Sequence, residues 1–397
     1  MKILITGGAG FIGSHLADRL LEMGEEVFVI DNLSTGALKN VEHLQENPGF
    51  HLVVDTILHE AVMNELVFKC DEIYHMAAAV GVKLIMNRPV ETLETNVKGS
   101  EVVLKLANRH KKKVLIASTS EVYGKVMDGG NPCFLSEDTD RLMGSTSKRR
   151  WAYACSKALD EFLALAYFEE KKLPVIVARL FNTVGPRQTG QYGMVIPNFV
   201  QKALIDKPII IYGDGTQSRS FTHVSDVVDA LIDLMAEPRA VGQVVNIGNT
   251  EEVSIKELAL LVKEMTGSKS NIEYISYEKA YGPGFEDMKR RCPDITRIKE
   301  LIGFQPQIDL RNIVHSVIDY YKYNLTYLLA LFCSFFSFHS SSSDKSFELL
   351  QGASINPATS DFVVQAEFSG KYRFSRVHAA KMCWKHLSSC DIGADIL

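Results

Sequence analysis

The chain has no Cys-x-x-Cys pair, no long apolar run and no strong excess of charge of either sign. Its seven cysteines, Cys70, Cys133, Cys155, Cys292, Cys333, Cys383 and Cys390, fall at irregular spacings. An odd, unpatterned set argues against a disulfide framework and for reduced thiols in the cytoplasm. Cys383, His386 and Cys390 are three possible ligands close together, but a structural zinc site takes about four. No metal is expected. The longest apolar stretch, Leu325 to Phe338, spans fourteen residues, short of the roughly 20 that a membrane helix needs. No span is expected there. Met1-Lys2 leads through Ile3-Leu4-Ile5 straight into glycine, without the apolar region of a signal peptide. Net charge is only −5, with Lys and Arg scattered, so a nucleic-acid footprint is excluded.

What remains is an ordinary globular composition, 46% hydrophobic and 23% charged, over 397 residues. That length suits two domains, or one large domain with an appendage. Short apolar runs at Lys2–Thr6, Glu26–Ile30, His51–Val54, Glu72–Met76, Val114–Ala117 and Pro174–Arg179 alternate with helical patterns. The helices are expected near Ile12–Glu22, Val90–Asn108 and Ala152–Phe168. Buried strands separated by amphipathic helices indicate βαβ units, an α/β doubly wound parallel sheet of the Rossmann type. After Asn182 the pattern loosens. Helices near Met194–Leu204, Val224–Met235 and Ile255–Met265 and strands at Pro208–Tyr212 and Val244–Ile247 suggest a smaller C-terminal α/β lobe for the substrate. The helix Asp309–Tyr321 is a natural end to it. The expected division is therefore 1–181 for the nucleotide domain and 182–324 mainly for the lobe, with some segments returning to the first domain. The remainder, 325–397, holds the serine run Ser340–Ser343 and no convincing periodicity, so a poorly ordered tail is expected.

Gly7, Gly10 and Gly13 lie between the first strand and the first helix. Glycines there permit a tight turn and let backbone N–H groups approach a pyrophosphate at the helix's positive end. The second strand ends in Asp31, placed to accept hydrogen bonds from ribose hydroxyls. Its charge would repel a 2′-phosphate, and no arginine follows in Asn32–Gly36, so NAD is expected over NADP. Tyr153 and Lys157, four apart, share a helix face. A lysine ammonium beside a phenol lowers its pKa and makes a plausible base. Thr119, at the end of the Val114–Ala117 strand, would reach the same substrate oxygen.

Residues 1 to about 323 resemble the extended short-chain dehydrogenase/reductases that modify nucleotide sugars: epimerases, dehydratases and decarboxylases. The resemblance rests on the glycine turn, His75-Met76-Ala77-Ala78, Asn96, Thr119, Tyr153-x-x-x-Lys157, and Phe181-Asn182-Thr183-x-Gly185-Pro186-Arg187. Tyr212-Gly213-Asp214-Gly215, Arg219 and Asp226 extend it. It implies NAD contacts at Gly7, Gly10, Phe11, Ile12, Gly13, Asp31 and Asn32. It implies further ones at Asp55, Ala77, Asn96, Tyr153 and Lys157. Asn182, Arg187 and Arg219 would grip the nucleotide diphosphate, a geometry that arginine forks suit. It also implies a shared opening step, oxidation of the sugar at C4 with Tyr153 as base. A homodimer built on the helices near 92–108 and 152–168 is expected from the same resemblance.

The 4-keto intermediate has several fates. Thr119-Ser120-Glu121 lacks the Asp-Glu pair usual in dTDP-glucose dehydratases, although GDP-mannose dehydratases do use Thr-Ser-Glu. UDP-glucuronate decarboxylases are similar at the same three residues and at Arg150. The stretch Tyr281–Asp287 running into Arg290-Arg291-Cys292-Pro293-Asp294 resembles their segment that delivers an arginine to the substrate carboxylate. Cys292 stands where they commonly have lysine, and arginine before Pro-Asp-Ile also occurs in epimerases. The reading leans to decarboxylase, with Ser120, Glu121 and Arg291 managing the carboxylate and the C5 proton. The alternatives are 4-epimerase, then 4,6-dehydratase. A dinucleotide sensor without catalysis is disfavoured because Tyr153 and Lys157 are both present.

Overall fold

β-Branched and apolar runs form the strands of one large sheet in the computed structural model. It describes residues 1–81, 85, 87–125, 134–190, 194–281, 288–339, 353–355 and 362–364. The first half runs β1 (Lys2–Thr6), α1 (Phe11–Glu22), β2 (Glu26–Asp31), β3 (Phe50–Val54), α2 (Glu60–Lys69) and β4 (Glu72–His75). It continues with α3 (Pro89–His110), β5 (Lys113–Thr119), a 3-10 turn at Ser120–Tyr123, α4 (Arg150–Lys171) and β6 (Val175–Leu180). The second half holds β7 (Thr183–Val184), α5 (Val195–Leu204), β8 (Ile209–Tyr212), β9 (Ser218–Ser220), β10 (Thr222–His223) and α6 (Val224–Ala236). After these come β11 (Val244–Ile247), β12 (Glu252–Ser254), α7 (Ile255–Thr266), β13 (Ile272–Ile275), α8 (Tyr277–Tyr281), α9 (Thr296–Ile302) and α10 (Leu310–His339).

The main sheet has seven parallel strands in the order β11-β6-β5-β4-β1-β2-β3. Chain order reverses between β1 and β4, where Thr6 pairs with His75. Ligands of doubly wound sheets bind at such a reversal, beyond the carboxyl ends of the strands. The expected architecture is therefore present, and so is the place for a site.

Two segments read as part of the small lobe belong to the nucleotide domain. Val244–Ile247 extends the main sheet beside β6. Helix α6 buries Val227, Leu231 and Leu234 in the same core as Ile3, Ile5, Leu16 and Leu20. Both carry continuous apolar faces that local periodicity cannot assign to one core or another. The lobe proper is held by Ile196, Phe199 and Val200 of α5 against Leu258 and Val262 of α7 and Ile313, Val314 and Val317 of α10. A capping box, Ser254 with Glu257, starts α7, and Gly267 ends it in the left-handed region at φ 63°.

The last helix departs from expectation. It does not close near Tyr321 but continues to His339, and Leu325 packs against the lobe core. No glycine or proline interrupts Leu310–His339, so nothing in the sequence stops it. Beyond it, Ala353–Ile355 and Phe362–Val364 pair antiparallel, in a region where no strand was expected. Among the described residues, no helix is long and apolar enough to cross a membrane.

Candidate active site

The glycine turn is dictated by close approach. Gly7 has φ 72°, and a Cβ there would lie 2.7 Å from the backbone of Ala77. A Cβ on Gly13 would lie 2.3 Å from the Gly7 carbonyl oxygen, so only glycine lets α1 pack so tightly on the turn. Gly10 is the N-cap of α1, which has no side-chain cap and no acidic residue in its first turn. The amides of Phe11, Ile12 and Gly13 thus open a helix with no acidic side chain in its own first turn, while the Asp31 carboxylate reaches the amides of Ala9 and Gly10 just before it. That end fits a dinucleotide's pyrophosphate.

Asp31, at the end of β2, is buried and accepts hydrogen bonds from the Ala9 amide at 3.0 Å and the Leu33 amide at 2.8 Å. Burial raises its pKa. An ionised carboxylate offers about four acceptor sites, so holding the turn shut leaves capacity for ribose hydroxyls. Asn32 is spent locally: its Oδ1 accepts from the Ser34 amide and hydroxyl at 3.1 and 2.7 Å. Asp55 accepts from the Thr56 amide and bonds His59 Nδ1 at 2.8 Å, which lowers its pKa. The Ala77 amide donates to Thr6 Oγ1 at 3.2 Å. Asn96 pins the loop after β4 to α4, accepting from the Ala79 amide at 2.8 Å and donating to Ser156 Oγ at 3.2 Å. Beneath the turn, His75 sits between Thr6 Oγ1 and Ser100 Oγ, its pKa lowered by burial to about 3. It is neutral at physiological pH.

On the other side of the reversal, Thr119 ends β5 and caps the turn Ser120–Tyr123, its Oγ1 accepting from the Glu121 amide at 3.2 Å. Tyr153 rises from α4 and shares a side-chain hydrogen bond with Thr119. Lys157 lies one turn on, but its ammonium is committed. Lys157 Nζ donates to Asp160 Oδ2 at 2.7 Å, and the two side chains are 2% and 1% exposed. The expected depression of the Tyr153 pKa is therefore reversed in the protein alone. Burial and then the Glu121 charge raise it, while Thr119 and Arg291 only partly offset them.

Arg291 arrives from far along the chain. Its Nη2 pairs with Glu121 Oε1 at 2.6 Å, and its Nη1 lies 3.4 Å from Ser120 Oγ. The side chain is only 7% exposed, and its Nε is buried with no hydrogen-bond partner among the described residues. Thr119, Ser120, Glu121, Tyr153 and Arg291 thus form one cluster. Sequence reasoning missed what lies beneath it. Arg179 of β6 makes a two-pronged pair with Glu161, Nε to Oε1 at 2.9 Å and Nη2 to Oε2 at 2.7 Å. Positions 153, 157 and 161 share one helix face, and that spacing was the available signal.

Asn182 and Arg219 also come together: Asn182 Nδ2 donates to the carbonyl of Ser220, and Arg219 Nη1 to that of Ser218, at 2.8 and 2.7 Å. Arg187 does not join them. Its backbone is left-handed at φ 67°, and its guanidinium pairs with Asp18 of α1 at 2.7 Å, not with the two residues expected to share the diphosphate. The segment 282–287 and the Cys383, His386 and Cys390 trio lie outside the described residues. Among those described, no cluster is placed to hold a metal ion.

This arrangement can be compared with known proteins. The family model for GDP-mannose 4,6 dehydratase matches residues 4–317. A UDP-N-acetyl-alpha-D-glucosaminuronate decarboxylase of Bacillus cytotoxicus is 44% identical over 322 residues, covering 81% of this chain and 98% of that protein. UDP-glucuronic acid decarboxylase 1 of Xenopus tropicalis is 37% identical, covering 82% of this chain and 73% of the relative. Among solved structures, a UDP-glucuronic acid 4-epimerase from Bacillus cereus, in complex with UDP-glucuronic acid and NAD, superposes with a TM-score of 0.72. It is 29% identical and covers 81% of this chain and 98% of its own. With the glycine cradle, the Tyr153–Lys157 helix and these matches together, the chain belongs to the GDP-mannose 4,6-dehydratase family of short-chain dehydrogenase/reductases, NAD-dependent enzymes that modify nucleotide sugars.

Proposed function

We propose that this enzyme decarboxylates a UDP-linked uronic acid through a 4-keto intermediate. The observation that carries the reading is Arg291, a buried guanidinium beside Tyr153 with one donor still unpartnered. Glu121 meets its charge, but a buried donor left without an acceptor is costly, and a uronate carboxylate would meet the spare Nε where a neutral hexose offers no such group. NAD, held at the Gly7–Gly13 turn and by Asp31, would supply hydride acceptance from C4 and hydride return to the product. Tyr153 takes the proton of the 4-hydroxyl, with Thr119 holding the same oxygen. The carboxylate of the resulting β-keto acid lies against Arg291. As the C5–C6 bond breaks, CO₂ leaves and the bond's electron pair passes into an enolate, to which Glu121 and Ser120 relay a proton from water at C5. Asn182 and Arg219 hold the diphosphate, and Arg187 closes its loop on α1. Both UDP-glucuronate and its 2-acetamido counterpart fit the relatives' names. Labelled CO₂ should be released from a C6-labelled uronate. Conversion of UDP-glucose to UDP-galactose without such release would contradict the reading. Likeness to the UDP-glucuronic acid 4-epimerase makes C4 epimerisation of the uronate the second reading.

A raised Tyr153 pKa has a consequence for pH. The phenol must lose its proton to act, so sugar oxidation should rise with pH along an acid limb. After burial, the Glu121 charge raises that pKa most. Glu121→Gln should therefore move the limb to lower pH, by on the order of one unit, in the rate of NAD reduction. A limb that stayed in place would show that Glu121 does not act on the phenol.

The assembly is proposed to be a homodimer in the cytoplasm, where Cys70, Cys155 and Cys292 stay free thiols. Helices α3 and α4 expose Val90, Leu93, Leu159 and Phe162, an apolar face suited to a second copy. Replacing Leu159 and Phe162 with glutamates should give a monomer by sedimentation. An unchanged sedimentation coefficient would place the contact elsewhere.

A further inference from the structure

The Glu121–Arg291 pair is assembled from two segments 170 positions apart in the chain (291 − 121 = 170), and one side chain joins their supports. Asn246 of β11 is fully buried. Its Oδ1 accepts from Tyr123 Oη at 2.7 Å, and Tyr123 ends the turn that carries Ser120 and Glu121. Its Nδ2 donates to the carbonyls of Leu135 at 2.8 Å and Asp294 at 3.1 Å. Leu135 in turn clasps the Arg291 segment: its amide donates to the Cys292 carbonyl and its carbonyl accepts the Asp294 amide, both at 2.9 Å. Gly248, two residues on in the same strand direction, leaves room for Pro293, since a Cβ there would lie 2.8 Å from Pro293 Cγ. The contacts close into a ring: Asn246, Tyr123, the turn, Glu121, Arg291, Pro293, Asp294 and Asn246 again.

We infer that Asn246 is a positioning residue for the Glu121–Arg291 pair, setting the reach of that pair into the site without touching the sugar. The inference rests on the decarboxylase reading, in which the pair meets the carboxylate after C4 has been oxidised; the variants below keep both charges, so the pair's influence on Tyr153 is retained. Each hydrogen-bonding atom of the Asn246 amide group is committed, so no isosteric replacement keeps both supports. Asn246→Asp swaps two donors for acceptors facing carbonyls, and Asn246→Ala removes them all. Tyr123→Phe breaks the link to the turn, together with the hydrogen bond that Tyr123 Oη accepts from Arg179, and keeps the ring packed. It is the variant to rely on if the Asn246 changes do not fold.

The test follows a single turnover of the NAD-loaded enzyme with UDP-glucuronate, reading nicotinamide absorbance and CO₂ together. In Asn246→Ala and Tyr123→Phe, reduction of the nicotinamide should proceed near the wild-type rate. CO₂ release should slow, by on the order of 10²-fold in the first and less in the second, so that the reduced nicotinamide signal persists. KM should change little. A purely structural role would slow both steps alike and raise KM, with no build-up of the reduced signal, and would overturn the inference. Absence of CO₂ from the wild-type enzyme, with either uronate, would instead overturn the functional reading on which it stands.

Discussion

Tyr153→Phe should lower turnover by about 10²–10⁴-fold, the usual contribution of a general base, while NAD affinity stays near normal. The ring is buried against the sheet edge, and phenylalanine preserves that packing, so the lost hydroxyl is the only chemical change. The hydroxyl is bonded to Thr119 and stands near the Glu121–Arg291 pair, which enter its electrostatics directly. The cofactor cradle, by contrast, is built from Gly7, Gly13 and the start of α1, none of which depends on that hydroxyl. Binding measured by fluorescence and turnover measured on the same preparation would separate the two. Near-normal turnover would mean that another group takes the proton.

Glu121→Gln and Arg291→Met should each abolish CO₂ release from UDP-glucuronate while leaving nucleotide affinity close to normal. On the diphosphate side of the site, the Asn182 and Arg219 side chains bond the carbonyls of Ser220 and Ser218, not Glu121 or the Arg291 side chain. Arg291→Met removes the cation that meets the carboxylate and ends the ion pair with Glu121, which is 23% exposed. Breaking a well-buried pair costs about 3–5 kcal/mol, an upper bound here because Glu121 still reaches water. Stability should therefore fall modestly, and CO₂ release far more. Glu121→Gln keeps shape and removes charge, so any NAD reduction that persists in it reports oxidation uncoupled from decarboxylation. Equal loss of both signals would place the two residues in nucleotide binding.

Much of this site was legible before folding was considered. Gly7, Gly13 and Asp31 could be read because each position leaves the backbone few alternatives. Tyr153 and Lys157 were found by helical spacing, yet spacing does not say what else a lysine meets. Asp160, three residues further on in the same helix, takes the Lys157 ammonium; the spacing offers that pair but does not say that it is buried. The expected division lets some segments return to the nucleotide domain without saying which, because an apolar strand such as Val244–Ile247 looks the same beside any neighbour. Its Asn246 became visible only when β11 was seen to border β6. Arg187 followed the same rule: the motif marks a functional turn, but the partner, Asp18, lies on a helix far away in sequence. The end of α10 failed for the opposite reason, since the resemblance stopped near residue 323 while the helical sequence did not.

The central claim is that a carboxylate is lost from a 4-keto sugar held between Arg291 and Tyr153. Incubating the purified enzyme with NAD and UDP-glucuronate in D₂O, with the 2-acetamido uronate in a parallel reaction, and following both by NMR tests it most directly. The account predicts CO₂ and a UDP-linked pentose sugar carrying deuterium at C5 from at least one of the two substrates. A UDP-linked uronate inverted at C4, with its carboxylate intact and no CO₂, would contradict it.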